Sequence, residues 1–137
     1  MVTFYVVSEY SQDPPTESGR DKIAVGPLYG LDRIRALAQG EDKVQALTRN
    51  CRRDVDNFFD GDYGEVAALI LAVKASDYID SEWCENGRGG IAACDAYSVQ
   101  RSEVIPATGK VVTFEYFLKF AIAKGGDLVL VVSCHIS

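Results

Sequence analysis

V-V-T-F-E-Y-F-L-K-F-A-I-A-K-G-G-D-L-V-L-V-V-S-C-H-I-S, Val111 to Ser137, holds two strands and the turn between them. Side chains of a strand point alternately to its two faces. In the first strand the even positions Val112, Phe114, Tyr116, Leu118, Phe120 and Ile122 form one apolar face, while the odd positions carry Thr113, Glu115, Phe117 and Lys119. In the second, Leu128, Leu130, Val132, Cys134 and Ile136 alternate with Val129, Val131, Ser133 and His135. Matching the more apolar sets across the hairpin requires an odd loop, Gly125-Gly126-Asp127, because a two-residue loop would turn one strand over. His135 then stands opposite Phe117, with Glu115 and Lys119 as diagonal neighbours on an open face.

Working outward, Ala96 to Ile105 reads as a further strand before the turn P-A-T-G, which makes a C-terminal three-strand meander over Ala96–Ile105, Lys110–Ala123 and Asp127–Ile136. Upstream, Leu31, Ile34, Leu37 and Ala38 have helical spacing, ended by Gly40. A second helix is expected after Glu41-Asp42, burying Val44, Leu47, Cys51, Val55 and Phe58; on its other side Arg49, Arg52 and Arg53 could touch phosphates, but Asp54 and Asp56 among them favour a solvated face. Glu65 to Val73 is apolar nearly all round and reads as a buried helix. Ser76-Asp77 caps a short turn, and polar, glycine-rich Glu82 to Gly90 reads as a mobile loop around Trp83. Val2 to Val7 is a strand joined by the proline-rich loop Ser11 to Lys22.

These elements predict one α+β domain over residues 1–137. Its antiparallel sheet, the C-terminal meander plus an N-terminal strand, carries helices packed on one face. Residues 1–26 form an extension, and 27–137 the compact unit.

The 137 residues suffice for a core without disulfides or a metal. With 47% hydrophobic and 25% charged residues the chain is an ordinary globular sequence, which argues against global disorder. No stretch approaches the roughly 20 apolar residues of a membrane span, and no signal peptide is evident, so a cytoplasmic protein with reduced thiols is expected. Twenty acidic against 14 basic residues give a net charge of −6, which opposes nucleic-acid binding and suits a basic partner. Cys51, Cys84, Cys94 and Cys134 lack zinc-ribbon spacing. Cys134 and His135 point to opposite faces, so no metal site and no cofactor are expected.

P-L-Y-G-L-D-R-I-R-A-L-A from Pro27 resembles the opening P-H-Y-x-L-x-x-V-K-x-L-V of the MqsR-type messenger-RNA interferases. A-S-D-Y at Ala75 to Tyr78 is similar to that family's S-x-S/A-D-F-Y, and C-D-A-Y at Cys94 to Tyr97 to its Q-D-V-Y. F-L-K at Phe117 to Lys119 resembles Y-L-K, and D-L-V-L-V-V-S-C-H resembles the closing D-V-L-I-V-S-F-K. The resemblance implies a RelE-like fold and the toxin of a toxin–antitoxin module, an endoribonuclease that cuts messenger RNA and is silenced by a cognate antitoxin protein. The family's lysine after D-F-Y falls at Asp80, its glutamine at Cys94, its tyrosine at Phe117 and its last lysine at His135.

Metal-free RNA cleavage needs a base for the ribose 2′-hydroxyl, a cation for the phosphate and an acid for the leaving oxygen. The candidates are His135 as acid/base, Glu115 as base and Lys119 as phosphate clamp, with Arg101 and Lys119 contacting RNA. Cleavage is then either kept on rearranged residues or lost. The alternative is an acidic, non-catalytic binding protein, of the immunity or phage-inhibitor kind, that covers a basic surface. For His135 itself, the plain reading is a half-exposed histidine at a strand end.

Overall fold

The computed structural model describes residues 3–137, so Val2, the first residue of the expected N-terminal strand, lies outside the described residues. The chain is α+β. Strands β1 (Tyr5–Val6) and β2 (Lys22–Ile23) precede helix α1 (Leu31–Ala38), which is followed by β3 (Val44–Ala46) and helices α2 (Arg49–Phe59) and α3 (Tyr63–Leu71). Strands β4 (Tyr78–Glu85), β5 (Gly90–Val104), β6 (Val111–Ile122) and β7 (Val129–Ile136) complete it. The sheet order is β2-β4-β5-β6-β7-β3, with β1 beside β5.

The sheet is mixed rather than antiparallel, which corrects the expectation. β1 runs parallel to β5, and β3 runs parallel to β7 with Val44 opposite Val129. These are the short strands: each takes up backbone groups beside a long strand that the meander leaves open, and neither is limited to the direction a tight hairpin would impose.

β3 also corrects the second helix. The burial of Val44 and Cys51 holds. The backbone between them is extended, however, because Val44–Ala46 pair with β7, and the helix begins only after Thr48, whose Oγ1 accepts the Cys51 amide at 3.0 Å. The later start leaves Phe58 on the exposed side and buries Phe59. Helix α3 forms where all-round apolarity placed a helix, capped by Asp62 and burying Val66, Ala67, Leu69 and Ile70.

The segment expected to be a mobile loop is mostly strand. β4 runs to Glu85, β5 starts at Gly90, and Trp83 is buried with Ile91 and Ala93 against Phe4, Val6, Tyr10, Ile23 and Leu28. The N-terminal segment is thus sewn onto the sheet: the Val7 amide donates to the Ile91 carbonyl and the Glu9 amide to Ile122. The main core holds Ile34, Val55, Leu69, Ile70, Tyr97, Tyr116, Leu118, Phe120 and Ile122, joining the three helices to the sheet. No helix among the described residues is long and apolar enough to cross a membrane.

His135 does stand opposite Phe117, but by a different route from the one expected. Ile122 pairs with Val129, and the Ala123 amide donates to Leu128, so the connection is the even-numbered Lys124–Asp127. That loop turns β7 over: Val129 and Val131 face the helices with Ile122 and Phe120, and Leu130 sits with Ala121 on the other face. A bulge then restores the parity. Lys119 pairs with Ser133 and Phe120 with Val131, leaving Val132 as the extra residue. Beyond it Cys134 and Ile136 return to the helix face. Leu130 and Val132 are therefore not in one face with Cys134, as strict alternation assumed.

Candidate functional site

The strand registers assemble one row across four strands on the sheet face away from Tyr116: Asp80, Ala96, Lys119 and Ser133. Ser98, Phe117 and His135 form the next row. On the other flank, Glu82 stands opposite Cys94. Ala96, fully buried and small, leaves the space over which Lys119 reaches diagonally to Glu82.

These rows line a cleft made of two adjoining hollows of about 480 and about 400 Å³ that share Arg20, Lys119 and Ser133. The first holds Lys22, Asp80, Glu82, Phe117 and His135. The second runs past Cys84 to Thr48 and Asn50 at the start of α2. Thr48 ties that helix end to the bulge, donating from Oγ1 to the Val132 carbonyl at 3.2 Å.

Four charges form a chain in the cleft. Lys22 Nζ lies 2.6 Å from Asp80 Oδ2 and 2.9 Å from Glu82 Oε2, and Glu82 Oε1 accepts from Lys119 Nζ. Glu82 and Lys119 are both buried. Burial pushes the Glu82 carboxyl up, but the hydrogen bonds and charges of Lys119 and Lys22 outweigh it and hold the group below its ordinary value. Lys22 is held above its ordinary value by its hydrogen bonds to Asp80 and Glu82. The His135 ring is stacked on Phe117, with centroids 5.4 Å apart and planes 26° from parallel. Lys119 Nζ sits 5.4 Å from the centroid of the same Phe117 ring.

Of the residues singled out in the sequence, His135 and Lys119 share this cleft. Lys119 is not on an open face, as expected, but buried in an ion pair, because Glu82 belongs to a strand rather than to a loop. Glu115 is exposed and lines a different hollow with Lys74, Asp77 and Gln100. Arg101 stands opposite Phe114 and pairs with Glu65 of α3, so it lies on the helix side of the sheet, away from His135. Sequence reasoning missed Arg20, Lys22 and Glu82. The signal for Glu82 was available in the alternation of Asp80, Glu82 and Cys84; Arg20 lies in the loop before β2, and Lys22 opens that two-residue strand opposite Glu82, too short for any periodicity to show.

The cysteines are divided. Cys134 Sγ lies 3.7 Å from Cys51 Sγ on the helix side, whereas Cys84 lines the cleft. Among the described residues no three His, Cys, Asp or Glu side chains are grouped to hold a metal ion.

Asp80, Phe117 and His135, three of the four positions that depart from the MqsR-type pattern, line the cleft together, and Cys94 lies beneath it opposite Glu82. Compared with family models, curated proteins and solved structures, the chain matches none.

Proposed function

We propose that the chain is a RelE/MqsR-like toxin of a toxin–antitoxin module: a cytoplasmic, metal-free endoribonuclease acting on messenger RNA by attack of the ribose 2′-hydroxyl, silenced by a cognate antitoxin. The observation that carries this reading is the single histidine, stacked on Phe117 in a cleft with Lys119, Lys22 and Arg20. Histidine is the side chain whose ordinary pKa near 6.5 lets it take and return a proton around neutrality. Arg20 and the two lysines stand where a phosphate beside His135 would need positive charge. Phe117 offers a face for a base as well as for the imidazole.

A second reading, an acidic non-catalytic binder of a basic surface, is favoured by one feature of the same cleft. Lys22 and Lys119 are neutralised by Asp80 and Glu82, which leaves less charge for phosphate than the residue count suggests.

Growth on induction, together with cleavage of a mixed-sequence RNA at low salt, separates the two. We expect arrest and cleavage by the wild type, with His135→Ala slowing cleavage about 10²–10⁴-fold, the usual worth of a proton-transfer group, at unchanged melting temperature. Arg20→Ala is the companion variant, because Lys119→Ala would strip a buried carboxylate of a partner and confuse activity with folding. Harmless expression and intact RNA with the wild type would remove the enzyme reading.

A further inference from the structure

On the other side of the sheet, beneath the first turn of α1, a hollow of about 450 Å³ opens between Pro27, Tyr29, Leu31, Arg35, Ala75 and Tyr97. Its walls are largely apolar, and its size is that of a small-molecule site. Tyr97 is fully buried, and its hydroxyl is the one buried side-chain polar atom among the described residues without a hydrogen-bond partner. Packing does not require that oxygen. The ring stacks on Phe120, with centroids 5.4 Å apart and planes 12° from parallel, and meets Tyr78 edge-on at 5.7 Å, contacts a phenylalanine would keep. Burial, then the nearby Asp95 and Tyr78, push its pKa up to about 12, so it stays a donor at neutral pH.

Further donors surround the same space. Arg35 spends one guanidinium nitrogen on the Val73 carbonyl at 2.6 Å, and its remaining contact, to Asp32, is a long 4.0 Å. The first helical carbonyl, that of Gly30, accepts from Arg33 and Ile34, which leaves the Leu31 and Asp32 amides without an intrahelical acceptor. Gly30 supplies no side-chain cap. The Asp32 carboxylate on the rim is fully exposed, so water screens its repulsion of an anion.

We propose that this hollow binds a small organic acid, its apolar body against Pro27, Tyr29 and Leu31 and its carboxylate held by the Tyr97 hydroxyl and the Arg35 guanidinium. One guanidinium and one hydroxyl match a monoanion; a phosphate dianion would need a second cation. The site is independent of the His135 cleft and of any RNA chemistry.

The test is an NMR titration of the ¹⁵N-labelled full chain with benzoate and with hexanoate, which separate aromatic from aliphatic acids. Acetate serves as the head group alone and benzyl alcohol as the uncharged counterpart. We expect saturable shifts with at least one of the two acids at the Tyr29, Leu31 and Arg35 amides, and binding about tenfold or more weaker for acetate and benzyl alcohol. Tyr97→Phe, which removes one oxygen and keeps the packing, and Arg35→Gln, which keeps a donor for Val73, should each weaken the acid about tenfold, the effect of losing a hydrogen bond to a charged group. Absence of saturable shifts with both acids, equal binding of benzyl alcohol, or undiminished binding by Tyr97→Phe would each overturn the proposal.

Discussion

Tyr97 keeps a hydroxyl where none of its packing contacts uses it. A buried polar atom without a partner lowers stability by about 1–3 kcal/mol relative to an apolar replacement of the same shape, so Tyr97→Phe should stabilise the free protein by roughly 1 kcal/mol, read as a higher urea midpoint at unchanged slope. Glu82 is the opposite case, a buried group with two partners. Its removal leaves Lys119 buried and uncompensated, and Glu82→Ala should destabilise by about 3 kcal/mol. The same pairing fixes a pH dependence. Because the folded Glu82 carboxyl lies below its ordinary value, the unfolded chain takes up the proton first. The contribution is full above about pH 4.3 and is lost as the pH falls through the folded value. Urea midpoints measured downward from pH 7 should fall more steeply for the wild type than for Glu82→Gln. Asp95, raised by burial against the hydrogen bonds of Ser81, Leu28 and Tyr29, works in the other direction over its own range, so the difference between the two proteins is the quantity to compare.

Among the elements, the β6–β7 hairpin shows what alternation in a sequence can and cannot carry. Tyr116 in the core was legible from the alternation of β6, whereas His135 stands opposite Phe117, as expected, only because two departures from strict alternation cancel. The path between the two was not legible. An even loop and a one-residue bulge each reverse the parity and together cancel, and V-L-V-V is equally apolar on either face, so nothing in it marks Val132 as the bulge. β3 escaped for a related reason: Val44 and Cys51 are buried whether the backbone between them is helical or extended, and only pairing with β7 decides. The turn itself depends on Gly126, whose φ of 78° an L side chain adopts only with strain. Gly126→Ala should cost about 1–2 kcal/mol in chemical denaturation, and Gly125→Ala, outside the left-handed region, less. At the far end of the bulge, Thr48→Ala removes both the α2 cap and the bond to Val132, and should cost about 1 kcal/mol or more.

The charge of the whole molecule bears on how it would hold RNA. A net −6 repels a polyanion, and in the His135 cleft Lys22 and Lys119 are each paired with a carboxylate, so Arg20 and, when protonated, His135 carry the uncompensated positive charge. Proteins that grip nucleic acid mainly by its phosphates neutralise many of them and lose affinity steeply with salt. Two phosphate contacts on a single strand correspond to a slope of log affinity against log salt of about −1.4. We therefore expect weak RNA binding with that shallow slope between 50 and 200 mM salt, conditions over which a phosphate-dominated binder loses about 10³–10⁵-fold. Arg20→Ala should halve the slope, to about −0.7. Phe117→Ala should weaken binding at every salt concentration with the slope unchanged, because stacking on an aromatic face releases no counterions. Fluorescence anisotropy of a short labelled RNA, repeated across the salt series with the three proteins, measures all of this. A steep wild-type slope would place the contact on a basic surface elsewhere in the molecule, and a slope insensitive to Arg20 would take RNA out of this cleft.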